Sequence, residues 1–323
     1  MLENITEKGL VSVVIPTYKR PEYLERAINT VVSQSYSNIE IIVVDDNGKN
    51  TEFQLKTQKV IERNTTLEVS YIVLNENKGG CFARNSGIDV AKGEFIAFLD
   101  DDDEWLEDKI EEQVAQFTRG SESLGAVYCG FYSAVELTKA KVIVHPTISG
   151  WILPDLMQCK CPSSTSLLLI KSKDLRSVGG FDNSLESFQD YDLYIRLSKF
   201  VEFDFVDKPL AVFNQHVGDR VSINLERRFS ALDKIVDKWD SQILKFNTIE
   251  NFRRTFRSAA YQGVAYSELM KGNSYSASKS FMLAAKMEKT SAKLYFKAVL
   301  AIFGFKLFDR VLSSLRFGGD KNE

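Results

Sequence analysis

The first hundred residues alternate continuously apolar runs with stretches of helical periodicity, and this alternation restricts the possible folds of the chain. The apolar runs are Val11 to Ile15, Ile39 to Val44, Val69 to Leu74 and Phe95 to Leu99, and the helical stretches are Tyr23 to Ser33, Thr51 to Asn64 and Cys81 to Val90. Continuously apolar strands belong to a parallel sheet that helices cover on both faces. The pattern therefore predicts an α/β fold with a mostly parallel sheet.

The rest of the chain predicts a mixed segment followed by a helical region. The expected elements are strands at Val127 to Tyr132, Ser166 to Ile170 and Leu210 to Asn214, and a helix from Asp190 to Phe200. After Leu225 the pattern is almost wholly helical, and Arg254 to Ala285 resembles a single tetratricopeptide-type hairpin. A chain of 323 residues has room for two domains. We expect an α/β domain over residues 1–224 and a helical region over residues 225–323.

The net charge of −3 averages two unlike regions. Residues 1–224 carry 23 Lys and Arg against 34 Asp and Glu, whereas the remaining residues carry 18 against 10. An acidic front and a basic back indicate different partners, such as a metal and a polar substrate for the first and an anionic surface for the second.

Composition and segment lengths exclude several classes of protein. With 44% hydrophobic and 26% charged residues, the chain is expected to be globular. Its most apolar stretch, Ala298 to Phe305, is far shorter than the roughly 20 residues that span a bilayer, and the charged N-terminus does not match a signal peptide. The four cysteines form no Cys-x-x-Cys pair, so we expect free thiols and a cytoplasmic protein.

Four consecutive aspartates, Asp100 to Asp103, follow the fourth apolar run. Carboxylates at the end of a buried strand repel one another unless a cation or hydrogen-bond donors compensate. Mg²⁺ and Mn²⁺ prefer oxygen ligands, and Mg²⁺ is typically held by one or two carboxylates together with substrate phosphates. The run therefore predicts a site for a divalent metal and a diphosphate. The alternative is an acidic turn that caps a helix beginning near Trp105.

The ends of other strands supply further candidates, because ligands of parallel sheets gather beyond the carboxyl ends of the strands. Asp46 could accept a hydrogen bond from a base or a ribose hydroxyl, but its Asp-Asp-Asn-Gly run is equally typical of a plain turn. The segment Lys78 to Gly87 could present amides and cations to a diphosphate. It matches neither the P-loop nor the dinucleotide fingerprint, and no Gly-x-Ser-x-Gly elbow occurs, so kinase, dehydrogenase and hydrolase functions are disfavoured.

Two carboxylates, Asp190 and Asp192, begin another helical stretch. Acidic residues at a helix N-terminus commonly cap the helix, and the local pattern alone favours that interpretation. The alternative is a general base, which must reach the proton that it removes. His216, one of two histidines, is on its own more typical of a hydrogen-bonded surface residue than of a metal ligand.

Together these segments resemble glycosyltransferase family 2, whose members are inverting enzymes with a GT-A fold. The matching pieces occur in the family's order over about residues 10 to 222, and they are Val13 to Tyr18, Val43 to Asp46, Ala83 to Gly87, Gly93 to Asp103, Gly179 to Asp182 and Gln189 to Asp192. The resemblance implies a Rossmann-like GT-A domain with a nucleotide-sugar half over about residues 10–104 and an acceptor half over about residues 105–224.

The resemblance also implies roles for individual residues. Those expected at the nucleotide are Pro16, Thr17, Tyr18, Asp46, Asp100 and Asp101, with Lys78 and Arg84 as weaker contacts to the diphosphate. Asp102 would bind a divalent metal, Mn²⁺ or Mg²⁺, with help from His216. Asp190 aligns with the catalytic base, although the family's common Glu-Asp pair is Gln189-Asp190 here. Trp105 and Gln189 are assigned to the acceptor.

These roles imply metal-dependent inverting transfer from a nucleotide sugar, expected to be a UDP-hexose or a UDP-N-acetylhexosamine, to a saccharide hydroxyl. The resemblance favours a lipid-linked acceptor at the cytoplasmic membrane face, as in bacterial O-antigen or capsule assembly, and no nucleic-acid partner. Lys293 to Phe317 interleaves apolar and basic residues, as in a helix that lies on an anionic membrane. The same pattern also suits a helix that packs on the preceding hairpin.

Two other functions remain open from the sequence. A sugar-1-phosphate nucleotidyltransferase has a related α/β layout and a carboxylate-bound metal, but it would release pyrophosphate instead of UDP. A non-catalytic module would act through its helical hairpin, although the presence of Asp102 and Asp190 counts against that interpretation.

Overall fold

The computed structural model describes residues 6–63, 69–135, 140–162, 164–215, 224–288 and 291–317. The chain forms two compact units. The first comprises Met1–Leu156, Lys160–Leu185 and Gln189–Gln215, and the second comprises Met157–Cys159, Glu186–Phe188 and His216–Glu323. None of the four cysteines, all of which lie in the described part of the chain, forms a disulfide.

The first unit is built on a single sheet. Its strands in the described part of the chain are β1 (Glu7–Thr17), β2 (Ile39–Asp45), β3 (Val69–Val73), β4 (Gly93–Phe98), β5 (Asp103–Trp105), β6 (Leu124–Val135), β7 (Ala140–Val144), β8 (Leu169–Lys171) and β9 (Glu202–Gln215). Their order is β3-β2-β1-β4-β8-β6-β9-β5, and β7 pairs with β6.

The strands β3, β2, β1 and β4 are parallel, as their apolar runs predict. Helices α1 (Pro21–Val32), α2 (Glu52–Arg63) and α3 (Gly80–Val90) connect them. The inner strand residues are buried, and α3 packs so closely on β1 that a Cβ at Gly87 would lie 2.4 Å from Val14 Cγ1. The register sets Thr17 beside Asp45, so the carboxyl ends of β1 and β2 lie next to each other.

The other half of the sheet is mixed. Strand β8 is antiparallel to both β4 and β6, β6 is parallel to β9, and β5 and β7 form antiparallel edges. Helices α4 (Lys109–Arg119), α5 (Leu153–Met157), α6 (Ser172–Ser177) and α7 (Gln189–Leu197) accompany these strands. The mixed α/β sheet flanked by helices, with a helical C-terminal region, confirms the predicted fold class.

One local prediction is wrong, and one alternative interpretation is excluded. The strand expected from Ser166 begins later, because Thr165–Leu167 forms a 3-10 turn that Ser164 caps by accepting a hydrogen bond from Ser166 N at 3.2 Å. The aspartate run does not cap a helix near Trp105. Its last member instead starts the short strand β5, which pairs with β9, and the next helix, α4, begins at Lys109.

The part of the second unit that is described from residue 224 onward is mostly helical. Its helices are α8 (Leu225–Phe246), α9 (Ile249–Met270), α10 (Ser274–Met287), α11 (Ala292–Ala301) and α12 (Phe305–Phe317). Thr248 caps α9 by accepting a hydrogen bond from Asn251 N at 3.1 Å. Helices α9 to α12 share one apolar core, in which the Phe281 and Phe308 rings stack with centroids 5.4 Å apart. Among the described residues, none of the helices has both the length and the apolarity needed to cross a membrane.

Candidate active site

Polar side chains collect at the carboxyl ends of β1, β2 and β4. Thr17 ends β1 and Asp45 ends β2, while Asp100 follows β4 by two residues. The ends are joined by a hydrogen bond from Asp46 N to Thr17 O at 2.9 Å. Parallel pairing thus brings together residues that are far apart in sequence, as expected for a ligand site of this sheet type.

The two aspartates after β2 have different surroundings. Asp45 is fully buried and accepts hydrogen bonds from Asn47 N at 2.8 Å and from the Tyr71 hydroxyl at 2.6 Å, so it stabilises the turn. Asp46 accepts hydrogen bonds from Lys78 N at 2.7 Å and from Gly79 N at 2.8 Å. Burial raises the pKa of Asp46, although these two backbone hydrogen bonds oppose that shift.

Asp46 therefore fastens the loop before α3 to the end of β2. Its Oδ2 also accepts a hydrogen bond from Asn77 Nδ2 at 3.0 Å. A carboxylate has about four acceptor positions, and these three contacts leave little capacity for a ligand. The Lys78 ammonium group, predicted to contact a diphosphate, lies 2.5 Å from Glu76 Oε1 and is half exposed.

The loop after β1 presents an open aromatic side chain. Tyr18 is 41% exposed, and the Lys19 ammonium group lies 4.9 Å from its ring centroid. Lys19 adopts a left-handed backbone conformation with φ of 58°, and its N–H donates to Asn47 Oδ1 at 2.7 Å. Pro16 lies within β1, one residue before Thr17, and is only partly exposed.

Within the aspartate run, Asp100 and Asp101 are tied to different neighbours. Asp100 Oδ1 accepts a hydrogen bond from Arg84 Nη2 at 2.5 Å, and Asp100 N donates to Ser166 Oγ at 3.1 Å. Asp101 is buried, and its Oδ2 accepts a hydrogen bond from Thr17 Oγ1 at 2.8 Å. Burial raises the pKa of Asp101 to about 7, the neighbouring carboxylates add to this shift, and the Arg20 charge opposes it.

Arg20, which no sequence argument singled out, lies between two of the aspartates. Its Nη1 is 3.3 Å from Asp101 Oδ1 and 2.7 Å from Asp102 Oδ2. The only sequence signal for this contact is its position in a polar run directly after β1. Because the guanidinium stands between the two carboxylates, this place accommodates positive charge.

The same oxygens have the chemistry that a divalent metal requires. Among the described residues, no group of three or more His, Cys, Asp or Glu side chains is arranged to hold a metal ion. The predicted ligand His216 lies outside the described residues. Mg²⁺ and Mn²⁺ need only one or two carboxylates when substrate phosphates complete their ligands. The Asp101 and Asp102 oxygens, already bridged by a cationic group, fit that requirement.

Arg84 connects the aspartate run to the start of α7. Its Nη2 binds Asp100, and its Nη1 donates to Gln189 Oε1 at 3.0 Å. The arginine is nearly buried, and its guanidinium carbon lies 5.5 Å from the Phe181 ring centroid. Gln189, assigned to the acceptor from the sequence, is thus held by Arg84 next to Asp190.

The two carboxylates of α7 differ in exposure. Asp192 is fully buried and pairs with Arg196 Nε at 2.8 Å, which gives it a structural role. Asp190 is partly exposed at the beginning of the helix, and its Oδ1 accepts a hydrogen bond from Tyr191 N at 2.8 Å. Of the two, only Asp190 can meet a substrate without disruption of the core.

The placement of Trp105 contradicts the predicted contact with an acceptor. The residue is only 4% exposed, and its Nε1 donates to Ser166 O at 2.8 Å. The Lys109 ammonium group lies 4.0 Å from the ring centroid. The ring therefore supports the aspartate run from inside the protein and offers no surface to a ligand.

Comparisons with known proteins identify the family of the chain. The profile of the family described as Glycosyl transferase family 2 matches residues 12–165. The amylovoran biosynthesis glycosyltransferase AmsB of Erwinia amylovora is 31% identical over 234 residues, which cover 66% of this chain and 75% of that protein. The chain belongs to glycosyltransferase family 2, and it is a glycosyltransferase.

Solved structures share the fold at low sequence identity. The structure of S. aureus TarS residues 1–349 in complex with UDP-GlcNAc superposes with a TM-score of 0.57 at 16% identity and covers 90% of both chains. The mannosyltransferase PcManGT from Pyrobaculum calidifontis, in complex with GDP-Man and Mn²⁺, gives a TM-score of 0.55 at 16% identity over 95% of this chain and 84% of that one. These similarities confirm the GT-A fold.

Proposed function

We propose that the enzyme transfers a sugar from a UDP-sugar to a saccharide hydroxyl, with inversion at the anomeric carbon and with a divalent metal. The observation that carries this proposal is the double contact of Arg84, which binds Asp100 on one side and Gln189 on the other. One guanidinium group thus links the aspartate run to the residue next to Asp190. A direct displacement needs such proximity between the diphosphate site and the base.

The nucleotide would bind over the ends of β1, β2 and β4. The exposed Tyr18 ring offers a stacking surface for a base, and Pro16 and Thr17 precede it at the end of β1. Asp46 would act mainly by fixing the loop that begins α3, with one remaining acceptor position for a base N–H. The UDP-GlcNAc complex of the structurally similar TarS supports a UDP-sugar as donor.

The metal would be held by Asp102, with Asp101 beside it and His216 as a further proposed ligand. The Mn²⁺ in the structurally similar mannosyltransferase supports this assignment. When bound, a divalent ion supplies stabilisation of the negative charge that develops on the leaving diphosphate.

Asp190 would act as the general base. Its Oδ1 is already engaged by Tyr191 N, which fixes the carboxylate at the start of α7. The carboxylate accepts the proton of the acceptor hydroxyl while that oxygen attacks the anomeric carbon from the face opposite the diphosphate. A single displacement converts an α-linked donor into a β-glycoside. Arg84 and Gln189 would hold the helix start in place during this step.

The acceptor would be a lipid-linked saccharide in bacterial surface polysaccharide synthesis at the cytoplasmic face of the membrane. The similarity to AmsB, named for amylovoran biosynthesis, supports the polysaccharide context. The exposed side of α11 and of the turn that leads to α12 supports a membrane contact through residues 293–317. On that side Phe296, Val299, Ile302 and Phe303 are 46% to 66% exposed, whereas Leu294 and Phe308 pack in the core.

A donor screen tests the proposal. The full-length protein is heated with UDP-, GDP- or dTDP-sugars in the presence of Mn²⁺, since a ligand that binds the native state raises the unfolding temperature. The donor that stabilises the protein is then supplied with acceptors or water, and released UDP is measured. UDP release that Asp190→Asn abolishes supports the proposal. Stabilisation by GDP- or dTDP-sugars alone would refute the UDP assignment, and pyrophosphate release would refute glycosyl transfer.

A further inference from the structure

The second unit contains a pocket that is lined mainly by cationic side chains. It has a volume of about 500 Å³ and lies between the first turns of α9 and the end of α10. Its cations are Arg253, Arg254, Arg257 and Lys286, and its acidic lining residue is Glu250. This pocket belongs to neither the nucleotide site nor the exposed side of α11 and α12.

The positive charge of the pocket is only partly neutralised. Asp233 Oδ1 lies 3.3 Å from Arg253 Nε and 4.0 Å from Arg257 Nη2. Arg254 Nη2 donates to the neutral Asn251 Oδ1 at 2.5 Å. Lys286 is exposed, and among the described residues no carboxylate forms an ion pair with it. Four cations therefore face two carboxylates, whereas the helix dipoles at the pocket, positive at the start of α9 and negative at the end of α10, oppose each other.

Exposed apolar side chains lie close to the pocket along the chain. Leu244 and Phe246, at the end of α8, are 62% and 42% exposed, and α9 begins three residues after Phe246. Arginine binds phosphate oxygens in bidentate fashion, and apolar residues beside cations suit the boundary between lipid headgroups and acyl chains. We propose that this pocket binds the phosphate of an anionic lipid headgroup and so holds the helical unit at a membrane surface.

Vesicle binding tests the proposal on the full-length protein. Phosphatidylcholine vesicles with and without phosphatidylglycerol are compared, for the wild type and for the double variant Arg254→Glu/Lys286→Glu. The variant should lose at least about tenfold in affinity for the anionic vesicles, because each basic group near such a surface contributes about 1 kcal/mol. Lys271→Glu is the control, since Lys271 follows α9 at the end opposite the pocket, about 25 Å along the helix from Arg254. It should alter affinity by less than about twofold, because charge effects at a membrane fall off within a Debye length.

The possible outcomes show whether the pocket binds a lipid headgroup or a soluble phosphate. Loss of binding in the double variant alone, with an unchanged unfolding temperature and with competition by millimolar pyrophosphate, supports a phosphate site for lipid. Equal binding by the double variant and the control overturns the proposal. Pyrophosphate binding without vesicle binding overturns it as well, because the ligand would then be a soluble phosphate.

A second inference concerns Arg20 and rests on the proposed metal site. A metal ion would share the Asp102 carboxylate with the Arg20 guanidinium, because Asp102 Oδ2 lies 2.7 Å from Arg20 Nη1. The two cations repel each other, so a bound metal weakens the contact of Arg20 with this carboxylate. We infer that Arg20 neutralises Asp101 and Asp102 in the metal-free enzyme and leaves Asp102 when the metal binds. The released guanidinium, partly exposed and next to the diphosphate site, is then available to phosphate oxygens.

This exchange lowers the apparent affinity for the metal. If Arg20 holds Asp102 in about nine of ten molecules, the apparent Kd is about tenfold above its intrinsic value. Arg20→Met should therefore bind Mn²⁺ about tenfold more tightly than the wild type. Arg20→Gln is a second variant that retains polarity, in case the first does not fold.

A control variant distinguishes the direct contact between Arg20 and Asp102 from the general effect of removing a nearby positive charge. Lys19→Met removes the same charge one residue away, where the ammonium group lies over the Tyr18 ring. Mn²⁺ affinity is measured by electron paramagnetic resonance of the free ion, without nucleotide and again with UDP, so the result does not depend on sugar transfer. Tighter binding by the Arg20 variants than by Lys19→Met, lost again with Asp102→Asn, supports the exchange. Equal affinities in the Arg20 and Lys19 variants overturn it, as does the absence of Mn²⁺ binding in all of them.

Discussion

Asp190 and Asp192 are identical side chains two residues apart that have different surroundings. Asp192 is sealed in the core against Arg196, whereas Asp190 is partly exposed beside Gln189. The local sequence alone favoured capping for both, because it contains no information about which carboxylate faces the interior. Burial and pairing make that distinction, and the resemblance to the family had selected Asp190.

The pair predicts opposite consequences for the same substitution. Asp190→Asn should lower kcat on the order of 10²-fold or more, since an amide cannot accept the acceptor proton. It should leave the unfolding temperature nearly unchanged. Asp192→Asn should lower the free energy of unfolding by about 3 kcal/mol, because it leaves the Arg196 charge without its buried partner. Steady-state kinetics and urea unfolding of both variants check this. A fully active Asp190→Asn enzyme would contradict the assignment of the base.

Lys109 is a second residue whose behaviour depends on burial. It is fully buried, and its Nζ donates to Gln113 Oε1 at 2.7 Å. Burial lowers the pKa of Lys109 from 10.5 to about 8. Between pH about 8 and about 10.5 the unfolded chain binds more protons than the native protein, so this residue makes the free energy of unfolding rise with pH. Below about pH 8 Lys109 is charged in both the native and the unfolded protein, so it adds no pH dependence to the free energy of unfolding there.

Lys109→Met should remove that increase. The free energies of unfolding of wild type and variant are measured by urea denaturation from about pH 7 to about pH 10. The stability of the wild type relative to the variant should increase as pH rises. Tyrosine and cysteine residues that titrate over the same pH range contribute equally to the wild type and the variant. Their contributions to the free energy of unfolding therefore cancel in the difference. A difference that is independent of pH would show that Lys109 has an ordinary pKa in the native protein.

Among the secondary-structure elements, those that depend on the local sequence pattern could be predicted. The four parallel strands and the helices between them follow from continuous apolar runs and helical periodicity. Strands β5 and β8 contain three residues each, and they exist because β9 and β4 supply partners. Similarly, carboxylates at strand ends predicted the candidate site, but their cationic partners could not be predicted. Arg20 lies 82 positions from Asp102, and Arg84 lies 105 positions from Gln189.

Helices α11 and α12 pack on the preceding hairpin, and exposed apolar side chains remain on α11 and in the turn after it, so the packing and the proposed membrane contact can be tested separately. Phe308 is buried against Phe281, so Phe308→Ala should lower the free energy of unfolding by about 3 kcal/mol. Phe303 is 66% exposed, so Phe303→Ser should leave stability nearly unchanged and weaken vesicle binding. Chemical denaturation and vesicle flotation separate the two effects. Unchanged flotation of Phe303→Ser would count against a membrane contact through this side.

At the scale of the whole molecule, the two units explain the uneven charge of the chain. The acidic part contains the aspartate run, whose charge is offset by Arg20 and Arg84 in the structure and, in our proposal, by a metal during turnover. The basic part contributes the cationic pocket at α9 and α10. A transferase that takes its donor from solution and its acceptor from a membrane would use these opposite charges for different partners.

The stereochemistry of donor hydrolysis tests the central claim most directly. With an α-linked UDP-sugar that stabilises the enzyme, water replaces the acceptor, and nuclear magnetic resonance identifies the anomer that is formed first. The account predicts the β-sugar together with UDP, and no reaction with Asp190→Asn. Initial formation of the α-sugar would contradict a single displacement at which Asp190 acts as base.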